Sequence, residues 1–126
     1  MRILLDTHTL LWALTEKSRL SSKVRSLLPS AETWFSVAGI WEIATKVQVG
    51  KLSLPRPAGA FVKSELSSNG VQVLGITLDH VLRLESLDLH HRDPFDRILI
   101  AQSLEEKLPI VTSDPLFALY PVEVIW

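Results

Sequence analysis

The chain has 126 residues, 47% of them hydrophobic and 21% charged, which excludes a disordered chain and suits a single domain over residues 1–126 with one core. It has no cysteine, so a disulfide framework, a thiol nucleophile and a thiolate metal site are all excluded. The net charge of −1 hides a polarity: residues 1–60 hold eight Lys/Arg against four Asp/Glu, and residues 61–126 hold five against ten. No apolar run approaches the roughly 18 residues of a membrane span. Ile3-Leu4-Leu5 is too short for a secretory segment before Asp6, so a cytoplasmic protein with no membrane partner is expected.

In chain order, Arg2–Asp6 reads as a short buried strand, because its apolar residues are continuous rather than alternating. A helix follows over Thr9–Thr15, and Ser21 or Ser22 can cap another through Leu28. Thr33–Val37 is a strand. Gly39–Val49 is a helix with Ile40, Ile43, Ala44 and Val47 on one face. Ala58–Ser68 is helical and stops at Asn69-Gly70, and Val71–Leu74 is a strand. Thr77 can cap a helix over Leu78–Ser86. Pro94–Lys107 is the strongest helix. Pro109–Thr112 is a strand, Pro115–Leu119 a short helix and Val122–Trp126 a last strand. Strands separated by helices predict a three-layer α/β/α fold around a parallel sheet. Ligands of such folds bind beyond the carboxyl ends of the strands.

Acids stand at those ends. Asp6 closes the first strand and reads either as a helix cap or as a site carboxylate. Asp114 and Asp93 each precede a proline, as N-caps do. Asp96 lies in the first turn of a helix whose apolar residues wrap nearly all round it, so it needs a partner. Glu42 falls opposite the apolar stripe of its helix, four residues before Lys46, and periodicity alone makes the two a solvated ion pair. A cluster of such carboxylates would repel itself unless a divalent cation relieved it, and all-oxygen ligands favour Mg²⁺ or Mn²⁺. His8, His80, His90 and His91 lack metalloprotease spacing, and His90-His91 reads as loop. Trp12 and Trp41 suit either the core or an interface with a partner, and are assigned to the core.

The quoted stretches resemble a known family. Leu4-Leu5-Asp6-Thr7-His8 is similar to the first motif of PIN-domain ribonucleases, specifically the VapC-type toxins of bacterial toxin–antitoxin pairs. Ser36–Lys46 with Gly50-Lys51-Leu52, His91–Gln102 and Val111–Asp114 resemble the second, third and fourth motifs in order. The resemblance implies a PIN-like fold and an Mg²⁺-dependent endoribonuclease, with Mn²⁺ an alternative cofactor. It carries the acidic site onto Asp6, Glu42, Asp96 and Asp114. Asp6 and Asp96 would be the principal metal ligands, and Asp114 and Glu42 would complete the set directly or through water. Thr112 and Ser113 would tune the cluster and Thr7 would hold the first loop, while Asp93 matches a family position with capping as its main role. Glu42 fits only if its helix turns a second face, near its N-terminus, to the pocket. The family also implies a homodimer and a cognate antitoxin.

Lys46 or Arg97 could assist at a phosphate, and RNA would approach over Arg19, Lys23, Arg25, Lys51 and Arg56. Single-stranded or loop RNA is the expected substrate. The alternative is a non-catalytic RNA- or protein-binding module whose acids are only caps. Asp6-Thr7-His8-Thr9 also faintly resembles an aspartyl-phosphate motif, but His8 stands where a second Asp is needed.

Overall fold

The computed structural model describes residues 1–126. The elements run β1 (Arg2–Leu5), α1 (Thr7–Thr15), α2 (Ser22–Leu27), β2 (Glu32–Ser36), α3 (Val37–Gln48), α4 (Ala58–Ser68), β3 (Gln72–Leu74), α5 (Leu78–Arg83), α6 (Pro94–Glu106), β4 (Ile110–Val111) and β5 (Val124–Ile125). Three 3₁₀ turns, Lys17–Arg19, Leu84–Ser86 and Pro115–Leu119, fill the connections. The five strands form one sheet in the order β3-β2-β1-β4-β5, and every pairing is parallel.

The continuous apolar runs buried on both faces explain the layers. Ile3 and Leu5 of β1 join Leu10, Val24, Phe35, Val62 and Leu66 on one side of the sheet. Leu4 points the other way, into Leu99, Ile100, Leu108, Ile110, Phe117 and Tyr120. Successive strand side chains alternate faces, so one three-residue run serves two cores. β1 is central: Leu5 is in register with Phe35 of β2 on one side and Val111 of β4 on the other.

The predicted elements all form, with edges moved by capping. α1 begins at Thr7 because Asp6 caps it, and α3 begins at Val37 because Ser36 Oγ accepts from the Ala38 amide at 3.0 Å. Ser21, not Ser22, caps α2, accepting from the Val24 amide at 3.1 Å. The helix expected over Leu78–Ser86 tightens to a 3₁₀ turn from Leu84. The last two strands pair over only two residues each.

Gly39 seats α3 against the sheet. A β-carbon there would lie 2.3 Å from Cζ of Phe35, so only glycine lets the helix start this close to β2. Ala38 adds a second close contact, packing with Ile98 and Ala101 of α6. Small residues at the start of α3 thus bring its N-terminal half against α6.

Candidate active site

The carboxyl ends of β1 and β4 lie side by side, and each is followed by an acid. Asp6 Oδ1 accepts from the Thr9 amide at 2.7 Å, while Oδ2 accepts from the Thr112 hydroxyl. Asp6 is therefore both a helix cap and a buried carboxylate facing β4; only 6% of it is exposed. Thr9 Oγ1 donates to the Val111 carbonyl at 2.9 Å and ties α1 to the same strand end. The Thr112 hydroxyl also accepts from the Asp114 amide at 3.1 Å. Asp114 Oδ1 caps the turn that follows, accepting from the Leu116 amide at 2.9 Å, and its Oδ2 is left for the site.

The start of α6 supplies the opposite wall. Asp93 caps it, accepting through Oδ1 from the amides of Phe95 (2.8 Å) and Asp96 (3.3 Å), with Pro94 in the first turn. Capping thus accounts for Asp93. Asp96, in the first turn, faces His91. Burial pushes its carboxyl from the ordinary range up to about 7, the negative charges of Asp93, Glu42 and Asp6 push the same way, and His91 opposes them.

His91 joins the two walls. The Asp93 amide donates to its Nδ1 at 3.2 Å, which leaves Nε2 as the protonated nitrogen. That nitrogen lies 3.0 Å from both Asp96 Oδ2 and Asp114 Oδ2. A continuous chain results: Asp6, Thr112, Asp114, His91, Asp96. The loop reading of His90-His91 is right for the backbone but misses this role, since His91 is 9% exposed and central to the cluster.

Glu42 corrects the expectation of a solvated ion pair. It is only 4% exposed, because the small residues of α3 turn that face toward α6. Lys46 Nζ donates to Glu42 Oε2 at 2.7 Å, and the lysine reaches out to solvent. The second face that Glu42 required is therefore present.

The remaining candidates separate. Thr7 is buried beside Asp6, while Ser113 is exposed and makes no side-chain hydrogen bond within the chain. The Arg97 guanidinium donates instead to the carbonyls of Leu84, Leu87, Asp88 and His91 and to the Tyr120 hydroxyl. Together with Tyr120, whose hydroxyl donates to the Asp88 carbonyl at 2.7 Å and accepts from the His91 amide at 2.9 Å, it pins the loop that carries His91. Those bonds, not a phosphate, occupy it. Arg19 and Lys51 line a groove that reaches Thr7 and Lys46. Arg25 lines a different, mostly apolar cavity, and Lys23 and Arg56 line neither. Trp12 is half-buried at the core's margin, but Trp41 is 62% exposed, its ring edge-on to Phe95 at 5.1 Å, so the core assignment fails for Trp41.

His91, Asp96 and Asp114 bring ligand atoms within 4.8 Å of one another, a group that could hold a metal ion, while Asp6 and Glu42 stand outside it as charged neighbours of Asp96. No helix is long and apolar enough to cross a membrane.

Comparison with known proteins agrees with this architecture. Among solved structures, VapBC2 from Rickettsia felis, bound to a DNA fragment from its promoter, superposes with a TM-score of 0.75 at 14% identity, covering 100% of this chain and 99% of the other. DNA-bound VapBC from Salmonella typhimurium gives 0.73 at 17% identity, covering 99% and 97%. FitAcB from Neisseria gonorrhoeae gives 0.65 at 17% identity, covering 100% and 97%. No curated protein matches the sequence. The sequence pattern of the PIN domain matches residues 3–122, which span all the acids above and all but the last strand. The chain belongs to the PIN-domain family.

Proposed function

We propose that this protein is the toxin of a toxin–antitoxin pair, an Mg²⁺-dependent endoribonuclease that hydrolyses phosphodiester bonds in single-stranded or loop RNA. The observation that carries the reading is the acid surplus: Asp6, Glu42, Asp96 and Asp114 gather where Lys46 and His91 are the only side chains that meet them with opposing charge or N–H. An all-carboxylate donor set suits Mg²⁺, or Mn²⁺ in its place. Asp6 and Asp96 would hold the ion, with Asp114 and Glu42 completing the set. When bound, such an ion activates water and neutralises charge at the phosphate.

The chain's own groups do the rest. The Thr9 amide and Thr112 hydroxyl hold both oxygens of Asp6, which fixes its orientation before substrate arrives. Glu42, next to Lys46, orients the water attacking phosphorus or takes its proton, and the leaving oxygen takes a proton from solvent as its bond to phosphorus breaks. His91 keeps Asp96 and Asp114 together while Asp93 fixes the ring. The solved neighbours include VapBC assemblies and a toxin–antitoxin complex from Klebsiella pneumoniae, which supports a cognate antitoxin as partner. A homodimeric, cytoplasmic toxin completes the proposal.

The test is cleavage of total cellular RNA by antitoxin-free protein in Mg²⁺, Mn²⁺ or EDTA, beside Asp96→Asn. Discrete products that need metal and vanish in the variant support the reading. Metal binding without any cleavage by the folded protein would favour a non-catalytic binding module instead.

A further inference from the structure

A groove of about 580 Å³ leads away from the acids, between α1 and the segment after α3. Its inner end is Thr7, next to Asp6, and Lys46, the partner of Glu42. Its outer part is lined by His8, Trp12, Arg19 and Lys51, with Glu16 its only carboxylate. The Arg19 guanidinium sits 4.6 Å from the Trp12 ring centroid, and the His8 ring lies 5.8 Å from the same indole, tilted by 45°. Trp126 packs edge-on to Trp12 at 6.0 Å, which fixes the indole. His8, Arg19 and Lys51 are exposed; Arg19 stands 4.0 Å from the Glu16 carboxylate, while His8 and Lys51 make no side-chain hydrogen bond or ion pair. These are planar faces beside the unpaired charge of Lys51.

Resting on the nuclease reading above, we propose that this groove binds the nucleotide adjoining the scissile phosphate of single-stranded RNA. The base stacks on the His8 and Arg19–Trp12 surfaces, and the backbone phosphate meets Lys51. Base faces are available only in unpaired RNA, and stacking on aromatic or guanidinium planes is how such bases are held. Thr7, which follows Asp6, and Lys46, which pairs with Glu42, line the groove and set that nucleotide beside the reacting phosphate. A protein segment would answer the charge but has no need of the stacked planes.

Fluorescence anisotropy of a labelled single-stranded oligoribonucleotide tests this, using full-length protein with Asp96→Asn in every sample to prevent cleavage. His8→Ala and Lys51→Ala should each weaken binding by about 5- to 50-fold. Lys51→Ala should also reduce the slope of log K against log salt by about 0.7. An abasic oligonucleotide of equal length should respond to Lys51→Ala but not to His8→Ala, a distinction that a structural role for His8 would not produce. Lys63→Ala, on α4, should bind as the parent does. Unchanged binding in both groove variants would overturn the groove and leave the nuclease reading intact. Failure of the parent to bind any oligonucleotide would overturn both.

Discussion

Two buried histidines in this protein are held in the same way and end differently. His80 Nδ1 accepts from the Thr77 amide at 3.0 Å, and its Nε2 lies 2.8 Å from Glu106 Oε1. His91 Nδ1 accepts from the Asp93 amide at 3.2 Å, and its Nε2 is shared between Asp96 and Asp114. In each case an amide at a helix start sets the tautomer and Nε2–H faces acid. At His80 there is one carboxylate, 41% exposed and so still hydrated. At His91 one N–H serves two carboxylates, with Asp6 and Glu42 close behind. The first corner is satisfied, and it joins α5 to α6. The second has negative charge left over, and leftover charge beside a strand end is what a cation-dependent site needs. The number of acids around the ring, not the ring's own geometry, separates a structural corner from a chemical one.

The largest contrast should come from the acids. Asp6→Asn and Asp96→Asn should lower RNA cleavage at least about 100-fold, more than the loss of an outer-shell partner. Glu106→Gln at the His80 corner should leave the rate within about twofold. Gel assays of the three proteins under one condition check this; equal losses would erase the distinction.

The histidines themselves should differ next. His91→Ala should weaken Mg²⁺ binding by about 10- to 100-fold with a small change in stability. His80→Ala should cost about 1–3 kcal/mol of stability, since it empties a fully buried ring site and cuts the hydrogen bond to Glu106 that ties α5 to α6, without changing Mg²⁺ affinity. Urea melts and calorimetric titrations read the two effects separately.

A smaller effect concerns pH. Asp96 holds its proton up to about pH 7 in the fold but releases it near the ordinary value of 3.8 when unfolded. Between those values the native state binds the extra proton, so metal-free stability falls as pH rises toward 7. Asp96→Asn should remove that component of the slope, and metal-free Asp96→Asn should be more stable than the parent at pH 8 by about 1–2 kcal/mol. Melting both proteins from pH 5 to pH 8 in EDTA gives the sign. The smallest change lies beside the His80 corner: Lys107 ends α6 at a φ of 55°, and Lys107→Gly should gain about 0.5–1 kcal/mol in a thermal melt without touching activity.

Much of this was legible in the residues. Ile3-Leu4-Leu5 announced a strand buried on both faces, and Asp93-Pro94 announced a helix start. Asp96 stands out as an acid on an apolar helix in need of a partner, and the structure half-buries it against His91. Glu42 was misplaced by periodicity because the wheel weighed large aliphatic residues. Ala38 and Gly39 carry little hydrophobic signal, yet they make the close approach to α6 and to Phe35 that buries Glu42. His91 had one weak local sign, its place two residues before a capping Asp. Its partners lie five and 23 residues away, and only the meeting of β4's end with α6's start brings them together. Arg97 looked like a free cation because backbone carbonyls as acceptors leave no trace in sequence.

The central claim is that the carboxylate surplus at the strand ends is a divalent-cation site. Calorimetric titration of Mg²⁺ into the metal-free protein at pH 8, paired with thermal melts of the parent and Asp96→Asn, tests it most directly. The account predicts saturable binding and a rise in the parent's melting temperature, with both lost in Asp96→Asn, whose metal-free form melts above the metal-free parent. No Mg²⁺ response in the parent, together with equal melting of the two metal-free proteins, would contradict it.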